Sequence, residues 1–529
     1  MKKTIGIILF AVIAANAQNL KTKPNWHNLD YAKDGIRGMS TEKAYAELLK
    51  DKPSKTVIVG VIDSGIDINH EDLKNVIWVN TREIPGNGKD DDENGFIDDV
   101  NGWDFIGGAD GTDVNQEQLE MTRIYKNLKQ KFGDNPKKRL IKKNKSDYNL
   151  YKKLEIDIKD KREEAEKYLP MYTNMYKKFT EAEETLKAVL KKDVVLTADV
   201  EQIKDENFDR SVRQAKQFWL QLTAMGATLS DLKDGVQHFE DEVKFNYNLD
   251  FEPRKVVGDD LSKLQYGKYG NNEVTGPDAM HGTHVAGIIA AQRENGLGVK
   301  GVADNVKIMV IRCVPNGDER DKDVANAIRY AVDNGAQVIN MSFGKAYSPD
   351  KKWVDEAVKY AESKDVVLVA ASGNDNLDID QEVHYPVREY LNGGQAQNWI
   401  SVGALNHEEA PDLAATFSNY GKKGVDVFAP GVAIYSTVPG NKYEEKQGTS
   451  MASPAVAGVA ALLRSYFPSL TAPQIKNIIL DSSVKLPDAT VKIPGGEEKV
   501  KFGDLSVTGG VVNTYNAVKM ATQMTQKQQ

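Results

Sequence analysis

Residues 56–62 read TVIVGVI, a continuous β-branched run that stops at Asp63. A strand apolar on both faces belongs in the middle of a sheet that is covered on both sides. Runs of the same kind recur at 307–312, 337–341, 366–371, 399–402 and 425–428. Segments with helical spacing alternate with them, at 282–292, 321–334, 350–364, 449–466 and 472–482. Strands alternating with helices build right-handed βαβ units. The expected fold is therefore α/β: a doubly wound, mostly parallel central sheet with helices on both faces. Such sheets bind ligands beyond the carboxyl ends of their strands, so the chemistry is expected in the turns that follow them.

One stretch departs from this rhythm. Residues 113–255 are rich in Lys, Glu, Asp and Tyr and contain no β-run. Tyr151, Leu154, Ile158, Ala165, Tyr168, Tyr172, Met175, Phe179, Ala182, Leu186 and Val189 keep mostly to three- and four-residue steps, with Lys161 in the one slot that breaks the apolar series. That spacing draws one apolar stripe on a helix, or on a helical pair interrupted at Pro170. A second stripe passes through Phe208, Val212, Phe218, Leu222 and Met225. The segment reads as an inserted α-helical subdomain that packs its stripes on itself and on the main domain. A surface for a partner, or a gate over the substrate, is the other reading. The expected organisation is 1–17 signal peptide, 18–54 N-terminal segment, 55–112 and 256–520 the two parts of one domain, 113–255 the insertion, and 521–529 a tail. Within 18–54, residues 40–50 read as a short amphipathic helix capped by Ser40 or Thr41.

The chain starts MKKTIGIILFAVIAANA. Lys2 and Lys3 precede an apolar run at 5–13, too short to span a bilayer. Ala15-Asn16-Ala17 then supplies the small residues of a signal-peptidase site, with the cut before Gln18. The address is export: secretion, or the periplasm or cell envelope. No later run of about 18 apolar residues follows, so no transmembrane segment is expected. The formal net charge is −8, and loss of Lys2 and Lys3 makes the mature chain more acidic still. With no basic stripe interleaved with aromatics, nucleic acid is not an expected partner. The one cysteine, Cys313, cannot form an intrachain disulfide and reads as a buried strand residue.

Hydrolysing an amide requires a nucleophile, a base, a carboxylate to orient the base, and donors for the oxyanion. Candidates for all four stand at strand ends or helix starts. Asp63 closes the first apolar run, within VIDSGID. His281 opens a helix in HGTHVAG. Ser450 opens another in GTSMASP, where free backbone N–H groups favour an anion. Asn374 follows a strand in ASGN, where its amide can point at a developing oxyanion. Each alone has a plainer reading, as a turn or helix cap. A zinc pair at His281 and His284 is weakened by the absence of an intervening Glu in the HExxH manner.

Together these motifs, in the order Asp, His, Ser, resemble those of the subtilisin-like serine peptidases. The resemblance spans roughly 55–110 and 270–480 and continues through the NMSFG segment at 340–344, Tyr385-Pro386, the SVGA segment at 401–404, the FSNYG segment at 417–421 and Ala429-Pro430-Gly431. It implies a subtilisin-like fold and a serine endopeptidase acting on polypeptides. Ser450 would be the nucleophile, His281 the general base and Asp63 its orienting carboxylate. Asn374 and the Ser450 N–H would hold the oxyanion. Ser342-Phe343-Gly344 would pair with extended substrate backbone, and Ala371-Ser372-Gly373 would line the pocket for the residue before the cut bond. Tyr385-Pro386 is expected to be cis, as in the family. Two departures stand out. The helical insertion separates Asp63 from His281, and residues 18–54 are short for a folded inhibitory propeptide. The alternatives are a catalytically silent relative serving as a binding scaffold through its insertion, and a processing protease dedicated to one partner.

Residues 90–99 read DDDENGFIDD. Asp90, Asp92, Asn94, Gly95 and Asp98 follow the start of a calcium loop, with Phe96 at the position that contributes a backbone carbonyl. The twelfth position is Asn101 instead of Glu, and Asp99 could supply the missing charge. So many carboxylates repel one another without a cation, and a structural Ca2+ is the expected cofactor.

Overall fold

The computed structural model describes residues 23–193, 195–224 and 228–526. The expected signal peptide at 1–17 and Met225 of the second stripe lie outside the described residues. The chain divides into two compact units: a helical unit, Thr122–Phe251, and a sheet unit made of residues 23–121 and 252–526.

The sheet unit contains strands β1 (Val57–Asp63), β2 (Gly102–Asp104), β3 (Val306–Arg312), β4 (Val338–Met341), β5 (Val367–Ala371), β6 (Trp399–Leu405), β7 (Val427–Pro430), β8 (Ile434–Val438), β9 (Lys442–Lys446), β10 (Val484–Lys485), β11 (Thr490–Lys492), β12 (Lys499–Lys501) and β13 (Gly510–Val511). Nine of them form one sheet in the order β10-β13-β7-β6-β5-β4-β1-β3-β2. Every pairing in that sheet is parallel except β10 with β13. The six apolar runs of the sequence are β1 and β3 to β7, the contiguous centre of the sheet.

Side chains alternate across β1, as strand geometry requires. Val57, Val59 and Val61 enter a core with Ile289 of the Met280–Ala290 helix and Val456 of the Thr449–Tyr466 helix. Ile62 enters a second core with Ile328 of the Asp321–Asp333 helix and Val358 of the Lys351–Ser363 helix. Both faces are covered, so the sheet is doubly wound. The Thr449–Tyr466 helix is buried along nearly its whole length, as expected of a helix apolar all round.

The N-terminal segment is part of this core: Trp26, Met39, Ala44 and Leu49 are buried in it. Its helix differs from expectation. A short α-helix, Thr41–Ala44, runs into a π-turn, Tyr45–Leu49, and no side chain caps it. The two hydroxyls are engaged elsewhere. Ser40 accepts from Asn513 Nδ2 at 2.9 Å, and Thr41 Oγ1 pairs with Thr514 Oγ1 at 2.9 Å. Both tie this segment to the start of the C-terminal helix.

The helical unit is built on one helix, Lys145–Leu190, which runs unbroken through Pro170. Pro170 is exposed, and so is Glu166 one turn earlier. The Glu166 carbonyl deprived of its N–H can take water instead, which keeps the disruption small. Phe179, Ala182 and Leu186 pack with Val212, Trp219 and Leu222 of the Arg210–Ala224 helix and with Leu232. Its outer face carries i,i+4 ion pairs such as Lys153–Asp157 and Arg162–Glu166. Among the described residues, no helix is long and apolar enough to cross a membrane.

Candidate active site

Asp63 is the last residue of β1, at the carboxyl edge of the sheet. His281 lies in the first turn of the Met280–Ala290 helix. The approach of these two elements is unusually close: a Cβ on Gly282 would lie 2.1 Å from the Gly65 carbonyl oxygen. Gly65 itself has φ +123°. Two glycines therefore let the histidine helix settle against the end of the aspartate strand. As a result His281 Nδ1 stands 2.7 Å from Asp63 Oδ1. With the proton on Nδ1, the ring donates to the carboxylate and presents Nε2 on its other side. Asp63 Oδ1 also accepts from Ser64 N at 2.8 Å, which holds the carboxylate in place.

The Asp63 side chain is 2% exposed, whereas that of His281 is 38% exposed. Enclosure by protein works against a charged imidazole, but the adjacent Asp63 carboxylate outweighs it and holds the His281 pKa above the ordinary 6.5. His284, one turn on, behaves oppositely. It is buried, which pushes its pKa down to about 4, and Nε2 faces the Glu444 carbonyl at 3.0 Å. His284 is thus a neutral imidazole held by the backbone of β9.

Ser450 sits in the first turn of the Thr449–Tyr466 helix. His281, Asn374 and Ser450 line one cavity of about 160 Å³, together with Met280, His284, Lys446, Gln447 and Met451. Ser450 Oγ donates to the Ser342 carbonyl at 3.1 Å. Engaging His281 Nε2 requires that hydroxyl to turn from one acceptor to the other. Asn374 Oδ1 accepts from both the N–H and the hydroxyl of Thr449, at 2.8 and 2.9 Å. Two donors on the oxygen fix the amide orientation, so Nδ2 is the atom left to donate.

None of the residues of the predicted substrate segments lines this cavity, although Ser342 and Gly373 bond to residues of the Thr449–Tyr466 helix. Ser342 follows β4; its Oγ accepts from Asn340 Nδ2 at 2.9 Å and donates to the Ser450 carbonyl at 3.0 Å. Phe343 is 9% exposed, in the core beneath the sheet. Ala371, Ser372 and Gly373 follow β5, and Gly373 N donates to Thr449 Oγ1 at 3.1 Å. The Tyr385–Pro386 bond is cis. Thr449 thus holds the Asn374 amide, and Ser342 is bonded to Ser450. Sequence reasoning gave neither that positioning role, because a Thr–Asn or Ser–Ser contact across about 75 or 108 positions leaves no local pattern.

Within the acidic loop the structure separates the expected ligands. Carboxylate oxygens of Asp90, Asp92 and Glu83 lie within 4.8 Å of one another, and those of Glu83 already accept from the N–H groups of Asp91, Asp92 and Asp98. Asn94 lies beside them, its N–H donating to Asp90 and Asp92. The Asp98 carboxylate instead accepts from the N–H groups of Gly86, Asn87 and Gly88. Asp99 accepts from Asn80, Asn94 and Tyr330, and burial pushes its pKa up to about 6. The Phe96 ring is buried against Trp103 and Tyr330. Glu83 precedes the loop by seven residues, outside the pattern that singled the loop out. Cys313 is a free, buried thiol, with its pKa pushed up by burial.

An α/β sheet carrying Asp, His and Ser in this chain order at its carboxyl edge defines the class. The model of the subtilase family matches residues 54–503, and the chain belongs to that family. It is 46% identical over 186 residues to a thermophilic serine proteinase of Bacillus sp. (strain AK1), covering 35% of this chain and 42% of that protein. It is 38% identical over 211 residues to subtilisin DY of Bacillus licheniformis, covering 40% and 72%. It is 39% identical over 207 residues to subtilisin Savinase of Lederbergia lenta, covering 39% and 71%. The chain thus spans less than half the length of the first of these relatives and about seven-tenths of the other two.

Proposed function

We propose that the protein is a secreted serine endopeptidase that cuts polypeptides through an acyl-enzyme. The observation that carries this reading is the 2.7 Å contact between His281 Nδ1 and Asp63, in a cavity shared by His281, Ser450 and Asn374. Ser450 Oγ attacks the scissile carbonyl while His281 Nε2 takes its proton. The Asp63 carboxylate stabilises the imidazolium that forms. Negative charge develops on the carbonyl oxygen, which the Asn374 Nδ2–H and the Ser450 N–H receive. The intermediate collapses, the C–N bond breaks, and His281 returns the proton to the departing amine. Water then attacks the acyl group; His281 takes its proton and passes it to Ser450 as the carboxylic acid product leaves. The edge at Ser342–Gly344 holds the substrate backbone extended, so recognition does not depend on one sequence.

Residues 1–17 direct export, and N-terminal sequencing of the exported protein would start at Gln18. A Ca2+ ion held by Glu83, Asp90 and Asp92 stabilises the loop that precedes β2. Calcium at a hundred times its Kd would add about 2.7 kcal/mol to stability, read as a higher Tm that chelation removes. Asp90→Ala and Asp92→Ala would abolish the calcium dependence. An unfolded protein substrate tests the activity: internal cuts at many sites support it, and intact substrate after long incubation sinks it.

A further inference from the structure

The helical unit carries a cluster of cations that the fold does not use. Six of the nine residues 137–145 are Lys or Arg and none is an acid: Lys137, Lys138, Arg139, Lys142, Lys143 and Lys145. All six are exposed. Among the described residues, none of their side chains has an ion pair or a hydrogen bond. Other lysines of the same unit are paired: Lys131 with Asp147, Lys153 with Asp157 and Lys187 with Glu183. Helix stability does not account for the cluster. Lys137 is the N-cap of the Lys138–Lys143 helix, whose first turn holds no acid, and Lys145 opens the Lys145–Leu190 helix. The positive end of each helix dipole disfavours a cation there. The cations also gather in one short segment of a chain whose formal net charge is −8, so charge is strongly polarised along it.

We propose that this face docks on the anionic headgroups of a lipid bilayer. Charge complementarity selects that class of partner. All but Arg139 are Lys, a compact point charge that suits a diffuse anionic surface. A site shaped for one carboxylate or phosphate favours the planar fork of Arg. Residues 137–145 include no aromatic on which a base could stack, which sets nucleic acid aside. Leu140 and Ile141 stand half-buried among the cations, so one short helix joins basic and apolar side chains, as a lipid-surface segment does. Each Lys or Arg brought to an anionic membrane strengthens binding about fivefold. The proposal does not depend on the peptidase chemistry.

The test is co-sedimentation of the full mature chain, as Ser450→Ala to prevent self-cleavage, with vesicles of phosphatidylcholine alone or with a third of phosphatidylglycerol. Binding is expected to the phosphatidylglycerol vesicles only. It is expected to disappear at about 1 M salt, where screening leaves charges a reach of roughly 3 Å. Lys138→Gln, Arg139→Gln and Lys142→Gln together are expected to weaken it about 100-fold, with Tm unchanged because these side chains have no partner to lose. A charge-matched control, Lys153→Gln, Lys161→Gln and Lys177→Gln together, removes cations that are already paired and is expected to bind like the parent. Equal binding to both kinds of vesicle, equal loss in both triple variants, or no binding at all overturns the proposal. So does tighter capture by polyglutamate or duplex DNA than by the phosphatidylglycerol vesicles, which would assign the face to an acidic polypeptide or to nucleic acid.

Discussion

The sheet unit and the helical unit are stabilised by different means. In the sheet unit two apolar cores sandwich strands buried on both faces, and polar side chains at the carboxyl edge are held by hydrogen bonds. In the helical unit a smaller core of Phe179, Leu186, Val212, Trp219 and Leu222 is wrapped by charged faces. Exposed i,i+4 pairs such as Lys153–Asp157 contribute about 0.2–0.5 kcal/mol each. Every residue assigned a catalytic role lies in the sheet unit. The difference teaches that strands buried on both faces fix the side chains at their ends, whereas exposed ion pairs on a helical face add little to stability.

The contrast can be broken or sharpened by substitution. Asp63→Asn is expected to lower kcat/KM by about 10⁴-fold without loosening the helical core. His281 must be neutral to accept the Ser450 proton, so activity falls as pH drops through its pKa. Asp63 holds that pKa above 6.5, so in Asp63→Asn the acid limb of the pH–rate profile moves to lower pH. A limb that stays in place contradicts the electrostatic role given to Asp63. Asn374→Ala is expected to lower kcat by about 10²–10³-fold with KM little changed. A change in KM alone would make Asn374 a binding group and not an oxyanion donor. In the other unit, Leu186 is fully buried, and Leu186→Ala is expected to cost about 2–5 kcal/mol. Hydrogen exchange should show the loss in Thr122–Phe251, with the protection of β1 and β3 to β7 retained. Uniform loss of protection would mean that the two units unfold as one.

How much was legible in the sequence follows the same division. The central strands were visible because burial on both faces demands unbroken apolar runs. β2 and β8 to β13 were not predicted. They have between two and five residues; β9 reads KYEEK with a largely exposed surface, and β8, IYSTV, breaks its apolar residues with Ser436 and Thr437. The long helix was visible in its stripe, but whether Pro170 ends it is decided by exposure, which spacing does not encode. Asp63, His281, Ser450 and Asn374 could be singled out because each sits in a local motif. Their positioning partners Thr449 and Ser342 act across distant segments, and Glu83 stands outside the loop pattern, seven residues before it. Ser40 shows the converse: a residue type suited to capping is drawn away by Asn513, far along the chain.

The measurement that tests the account most directly is reaction of the full mature chain with a fluorophosphonate, beside Ser450→Ala. The account predicts covalent labelling at Ser450 alone, absent from the variant, with peptide hydrolysis lowered by about 10⁶-fold in that variant. A folded, calcium-loaded chain that takes no label, or takes it equally in Ser450→Ala, would contradict the assignment of Ser450 as the nucleophile.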